Sequence, residues 1–116
     1  MEVGSFIREK RMSFLAKDKK YSLRQVAMRI GIEPSYLSKI ERGEKVHLSE
    51  PKIKALADEI EEDHDVLLAL CGKVSTDLLK VIRARPKLFA ALIRELKDVP
   101  EASVDRLIQE VRDGKW

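Results

Sequence analysis

The chain has 116 residues and a formal net charge of +3, with 44% hydrophobic and 37% charged residues. That length fits one domain, or one small domain with an appendage. No run of about 18 apolar residues marks a membrane span, and no charged-then-apolar leader stands at the start. Cys71 is the only cysteine, so no intrachain disulfide can form, and the cytoplasm is the default expectation.

Residues 3–17 read as a first helix, with Phe6, Ile7, Met12, Phe14 and Leu15 as an imperfect apolar stripe. Lys17-Asp18-Lys19-Lys20 reads as a solvated connector, and Tyr21 as a packed lead-in to the next helix. Ser22 can cap that helix, and Gln25 three residues later completes a capping-box pattern. Leu23, Val26, Ala27 and Ile30 then form one apolar stripe. Gly31 suits the helix end, where a positive φ would penalise a Cβ. Ala27 is small, as a close helix crossing requires. Pro34 fits the first turn of a following helix, where its missing N–H costs nothing. In that helix Leu37 and Ile40 face inward. Ser35, Ser38, Lys39 and Arg42 form an outer face with no carboxylate. Two helices joined by a short Gly-containing turn, with hydroxyls and cations outward, are what a DNA-binding helix-turn-helix needs.

Gly43 stops this helix within Arg42-Gly43-Glu44-Lys45, and His47 reads as a surface residue of the next loop. Ser49 is expected to cap a fourth helix with Pro51 near its start and Ile53, Leu56, Ala57 and Ile60 on one face. Glu59, Glu61, Glu62 and Asp63 read as an acidic, solvated exit. A short fifth helix spans residues 65–71, with Cys71 packing as a small hydrophobe and Gly72 closing the segment. Three further amphipathic stretches follow. The first is residues 76–85, with Leu78, Leu79 and Ile82. The second starts at Pro86, with Leu88, Phe89, Leu92, Ile93 and Leu96. The third follows the Asp98-Val99-Pro100 break, with Val104, Leu107, Ile108 and Val111, and Gly114 ends it. No strand pattern appears, and the helices do not repeat at a fixed period. The expected fold is all-α.

Charge is unevenly placed. Residues 1–48 hold eleven Lys/Arg against six Asp/Glu, residues 49–71 two against seven, and residues 72–116 ten against seven. The positive excess coincides with the helix-turn-helix third, as phosphate neutralisation requires. The acidic middle is expected to face away from DNA. Neither histidine has a second ligand at metal-binding spacing, and no nucleophile–base set or phosphate-cradling glycine loop is present. No enzyme activity, cofactor or metal is expected.

The run YSLRQVAMRIGIEPSYLSKIERGE, followed by IKALADEI, resembles the Cro/lambda-repressor helix-turn-helix of the XRE family of bacterial and phage regulators. The resemblance covers residues 3–72, and DVLLALCGKV is similar to the close of the domain in members with a helical tail. It implies a five-helix domain, residues 1–72, whose third helix, residues 34–42, reads the major groove. A C-terminal extension of two to three helices fills residues 73–116. The resemblance further implies that Glu41 pairs inward with Arg11 as a structural pair, and that Ser22, Arg24 and Gln25 sit over phosphate. Two departures stand out. The segment from Arg11 to Ser22 is longer than the usual family spacing, so MSFLA-KDKK is expected to lengthen the first helix. Leu23 also occupies the place of a phosphate-binding Gln, which leaves that anchor to backbone amides.

On this reading Ser35, Ser38 and Lys39 reach base edges, with Lys39 best suited to guanine acceptors. Arg24, Arg42 and Tyr36, with Lys45 or Lys20, meet phosphate. Few bidentate contacts are available, so a homodimer on a near-palindrome, acting as a repressor, is expected to supply the affinity. Residues 74–116 are too few to hold a core alone. Their stripes are expected to dimerise, with docking back onto residues 53–70 as the alternative, and Trp116 as either an exposed end or an anchor. A different function also fits: an antitoxin or other partner-binding protein that holds a protein through residues 74–116 and regulates its own operon.

Overall fold

The computed structural model describes residues 2–114; Trp116 lies outside them. The helices are α1 (Val3–Leu15), α2 (Leu23–Ile30), α3 (Pro34–Glu41), α4 (Glu50–Glu59), α5 (His64–Leu70), α6 (Thr76–Ala84), α7 (Pro86–Leu96) and α8 (Glu101–Arg112). A 3-10 turn, Lys19–Tyr21, precedes α2. The fold is all-α, with no strand among the described residues. The chain divides into two compact units, one ending at Ser75 and the other starting at Thr76. No helix among the described residues is long and apolar enough to cross a membrane.

The first unit closes around the apolar stripes of five helices. Ile7 of α1, Val26 and Ala27 of α2, Leu37 and Ile40 of α3, Ile53 and Leu56 of α4, and Leu67 of α5 are all at most 2% exposed. Burying each of the larger side chains stabilises the fold by about 1.5–3 kcal/mol. Ala27 has no exposed surface where α2 meets α3, and Gly31 ends α2 at φ 78. The turn closes with the Ile32 N–H donating to the Ala27 carbonyl at 3.0 Å. Lys52 of α4 adds a bond from its Nζ to the Gly31 carbonyl at 2.8 Å. A cation there also suits the negative end of the α2 dipole.

Several details differ from the sequence expectations. The first helix stops at Leu15 rather than at residue 17, and Met12 on it is 44% exposed. The connector beyond it is ordered, because Asp18 accepts from the Lys20 N–H at 3.0 Å and starts the 3-10 turn. The extra residues between Arg11 and Ser22 therefore go partly into α1 and partly into this turn. Only half of the capping box forms at Ser22. Its Oγ accepts from the Gln25 N–H at 3.2 Å, while its own N–H donates to the Lys19 carbonyl, leaving Gln25 nothing to return to. Ser49 stands at the start of α4 without a side-chain capping bond.

The acidic exit is more than a solvated face. Asp63 caps α5 by accepting from the Asp65 and Val66 N–H groups at 2.8 and 3.1 Å, which starts that helix at His64; it ends at Leu70, with Cys71 as its C-cap. Glu59 meets Arg29 at 2.6 Å, and Glu62 meets Lys10 at 3.6 Å. Cys71 follows α5 half-buried, and burial raises its thiol pKa against the smaller opposing effect of Lys73.

One contact carried no sequence signal. Gly4 is buried where α1 passes the end of α3, and a Cβ there would collide with the Ile40 carbonyl oxygen. The glycine lets the start of α1 lie against the backbone of α3.

The second unit consists of α6, α7 and α8, ending near 84, 96 and 112 as their apolar periods predict. None of these three helices contains a buried residue.

Candidate nucleic-acid interface

The third helix is held from behind and open in front. Leu37 and Ile40 have no exposed surface, while Ser35 and Lys39 are exposed. Its orientation is fixed by Arg11. The guanidinium makes two bonds to Glu41 at the end of α3, Nε to Oε2 at 2.7 Å and Nη2 to Oε1 at 2.8 Å. A third runs from Nη1 to the Tyr21 carbonyl at 3.2 Å. One side chain of α1 thus ties the end of α3 to the turn that launches α2. Both charges are buried, and the pair is bidentate, the geometry in which Arg and carboxylate match best. The pairing implied by the family resemblance is present; its third bond, to Tyr21, had no sequence signal.

Ser38 is half-buried. It lines a depression with Arg42, Leu23 and Arg8, floored by the Arg11–Glu41 pair. Glu41 neutralises Arg11, so the charge this depression presents comes from Arg8 and Arg42. Arg8 was not among the sequence candidates. It lies on α1, and only the folded chain brings it beside α2 and α3.

Ser22 is half-buried as the α2 cap, and Arg24 and Gln25 are exposed on the first turn beyond it. They line a second shallow groove with Met28 and Arg29. Tyr36 stands apart from both groups. Its hydroxyl accepts from the His47 N–H at 2.8 Å, which pins the loop after α3, and it lines a groove with Gly31, His47 and Lys52. That hydroxyl still has its own hydrogen to donate. Lys45 is exposed in the same loop.

The cations of the first unit fall into two groups. Arg29 is held by Glu59, by the Lys20 carbonyl at 2.7 Å and by the Tyr21 ring at 5.7 Å. Lys20 pairs with Asp18 at 3.6 Å and lies over the Tyr21 ring. By contrast Arg8, Lys17, Lys19, Arg24, Lys39, Arg42 and Lys45 take part in no ion pair or side-chain hydrogen bond among the described residues. Four of these seven lie on α2, on α3 or in the loop just after α3. No group of three or more His, Cys, Asp or Glu that could hold a metal ion occurs among the described residues.

Curated proteins and solved structures give no match to this chain. Residues 14–67, which run from the end of α1 into α5, match the family described as "Helix-turn-helix". That stretch holds the α2–turn–α3 unit, its Gly31 turn and the Glu41 end of α3. Residues 14–67 accordingly form a DNA-binding helix-turn-helix domain of the XRE, lambda-repressor-like kind.

Proposed function

We propose that the chain is a sequence-specific repressor that inserts residues 34–42 into the major groove and binds as two copies on a near-palindrome. The observation that carries this reading is the contrast on α3. Its back is fully buried, its outer face is exposed, and the cations around that face hold no ion pair among the described residues. Cations left without internal partners are the ones available to displace counterions from DNA.

Roles follow from placement. Ser35 and Lys39, both exposed on α3, reach base edges, and Lys39 suits the O6 and N7 acceptors of guanine. Ser38, recessed beside Arg42, reaches the base edge nearest the depression. Arg42, Arg8, Arg24, Gln25 and the Ser22 turn hold phosphates and set register, with Lys45 and the Tyr36 hydroxyl on the far side. Leu23 offers no side-chain donor at the start of α2, so free backbone N–H groups of that first turn take its place.

Gel-shift titrations on a selected site and on scrambled DNA test this. Lys39→Ala is expected to weaken the selected site by about 1–3 kcal/mol while leaving scrambled DNA within about twofold. Equal, negligible loss on both would contradict the reading.

A further inference from the structure

The connector between α1 and α2 carries three lysines against one aspartate, from Lys17 to Lys20. It is held in place from several sides. Asp18 starts the 3-10 turn by accepting from the Lys20 N–H, and the Ser22 N–H closes it onto the Lys19 carbonyl at 3.1 Å. Arg29 of α2 donates to the Lys20 carbonyl at 2.7 Å, and Arg11 of α1 donates to the Tyr21 carbonyl at 3.2 Å. The Tyr21 ring packs against Phe14, with 5.1 Å between centroids. The same Arg11 guanidinium holds Glu41 at the end of α3. The connector is thereby fixed relative to the third helix.

Its cations divide. Lys20 is engaged by Asp18 and by the Tyr21 ring. Lys17 and Lys19 are exposed and take part in no ion pair or side-chain hydrogen bond among the described residues. A free surface lysine by itself assigns no role; placement does. The turn bond between Lys19 and Ser22 keeps their Cα atoms within about 7 Å. Just beyond Ser22 stand the exposed Arg24 and Gln25, while Leu23 between them packs its side chain onto the core. Lys19 is thus a neighbour of the first turn of α2, on a flexible four-carbon stem that carries its charge outward.

We infer that Lys19, with Lys17 behind it, is a further phosphate anchor that extends the DNA contact from the first turn of α2 onto the flanking backbone. The inference rests on the DNA-binding reading above and adds two residues which that reading does not use. A duplex strand suits this charge because it presents a regular row of anions that continues past the site itself. A backbone already fixed beneath the two lysines lowers the ordering cost of the contact. Phosphate carries no sequence information, so the anchor adds affinity and register and leaves base preference unchanged.

Fluorescence anisotropy titrations of the full chain over a range of salt concentrations test this, on a selected site and on a scrambled duplex. The proteins are wild type, Lys19→Arg, and a variant carrying Lys17→Gln with Lys19→Gln. The double variant is expected to unfold like wild type and to bind both duplexes with a salt slope shallower by about one to two. Lys19→Arg is expected to keep the wild-type slope. In ethylation interference on the selected site, modifying a phosphate that flanks the site is expected to weaken wild type and to have no effect on Lys19→Gln. An unchanged slope in the double variant, even with weaker binding, would overturn the anchor, because a structural role alone releases no fewer counterions. The same interfering phosphates in wild type and in Lys19→Gln would also overturn it. Equal wild-type affinity for the two duplexes would overturn base reading by α3 and not the anchor, whose slope change is read on either. A wild type that binds neither duplex would overturn both.

Discussion

Arg11 and Glu41 form a buried bidentate pair that joins the first helix to the end of the third helix, with the Arg11 side chain 6% and the Glu41 side chain 3% exposed. A pair this dry is costly to break from one side, because the remaining charge stays buried. Glu41→Ala is expected to destabilise the fold by about 3–5 kcal/mol in urea unfolding. Replacing both residues together, Arg11→Met with Glu41→Leu, is expected to cost far less. Equal losses in the single and double variants would show that the charges are not mutually compensating.

Two glycines tolerate a side chain badly for different reasons. At Gly4 the obstacle is the Ile40 carbonyl oxygen, so Gly4→Ala must push α1 away from α3 and is expected to cost about 1–3 kcal/mol. At Gly31 nothing lies within 4 Å, but φ is +78, so Gly31→Ala is expected to cost about 1–2 kcal/mol. Asn distinguishes the two. Gly31→Asn should recover part of the loss, since Asn tolerates that backbone region, while Gly4→Asn should be no better than Ala. Thermal unfolding of the four variants reads this directly.

Glu61 is the one described non-glycine residue with positive φ, at 55. It follows the end of α4, where the Glu62 N–H closes the helix onto the Ala57 carbonyl at 2.8 Å. Its side chain makes no bond among the described residues and is exposed. Glu61→Gly is expected to raise stability by about 1 kcal/mol, seen as a higher urea midpoint with an unchanged slope.

Arg24 and Arg29 sit in the same helix and share a groove, but their environments differ. Arg29 is bound to Glu59 and to the Lys20 carbonyl, whereas Arg24 takes part in no ion pair among the described residues. Arg24→Ala is expected to leave stability within about 0.5 kcal/mol. It should also weaken binding to all DNA sequences alike, with a salt slope shallower by about one. Arg29→Ala is expected to lower stability, which unfolding curves would report.

Much of the helix-turn-helix was legible because it rests on local rules. Ala27, Gly31 and Pro34 each have one backbone or packing reason to stand where they do, and the apolar periods fixed which faces turn inward. Features that depend on distant parts of the chain meeting were not legible. Gly4 looks like any helical glycine until α3 crosses it. Arg8 looks like any surface cation until α1 brings it beside Ser38 and Arg42. The acidic run at residues 59–63 read as solvated because its partners, Arg29 and Lys10, are far away in sequence. The short turn at Lys19–Tyr21 was hidden for the opposite reason: a single Asp18 side-chain bond sets it, and no periodicity marks three residues.

The most direct test of the account is selection of bound DNA from a random duplex pool, with wild type and with a variant carrying Ser35→Ala, Ser38→Ala and Lys39→Ala. Wild type is expected to enrich a near-palindrome with half-sites centred about 10 base pairs apart, or a multiple of that, while the variant still binds DNA but loses that motif. Enrichment of the same motif by both proteins would contradict the assignment of base reading to the outer face of the third helix.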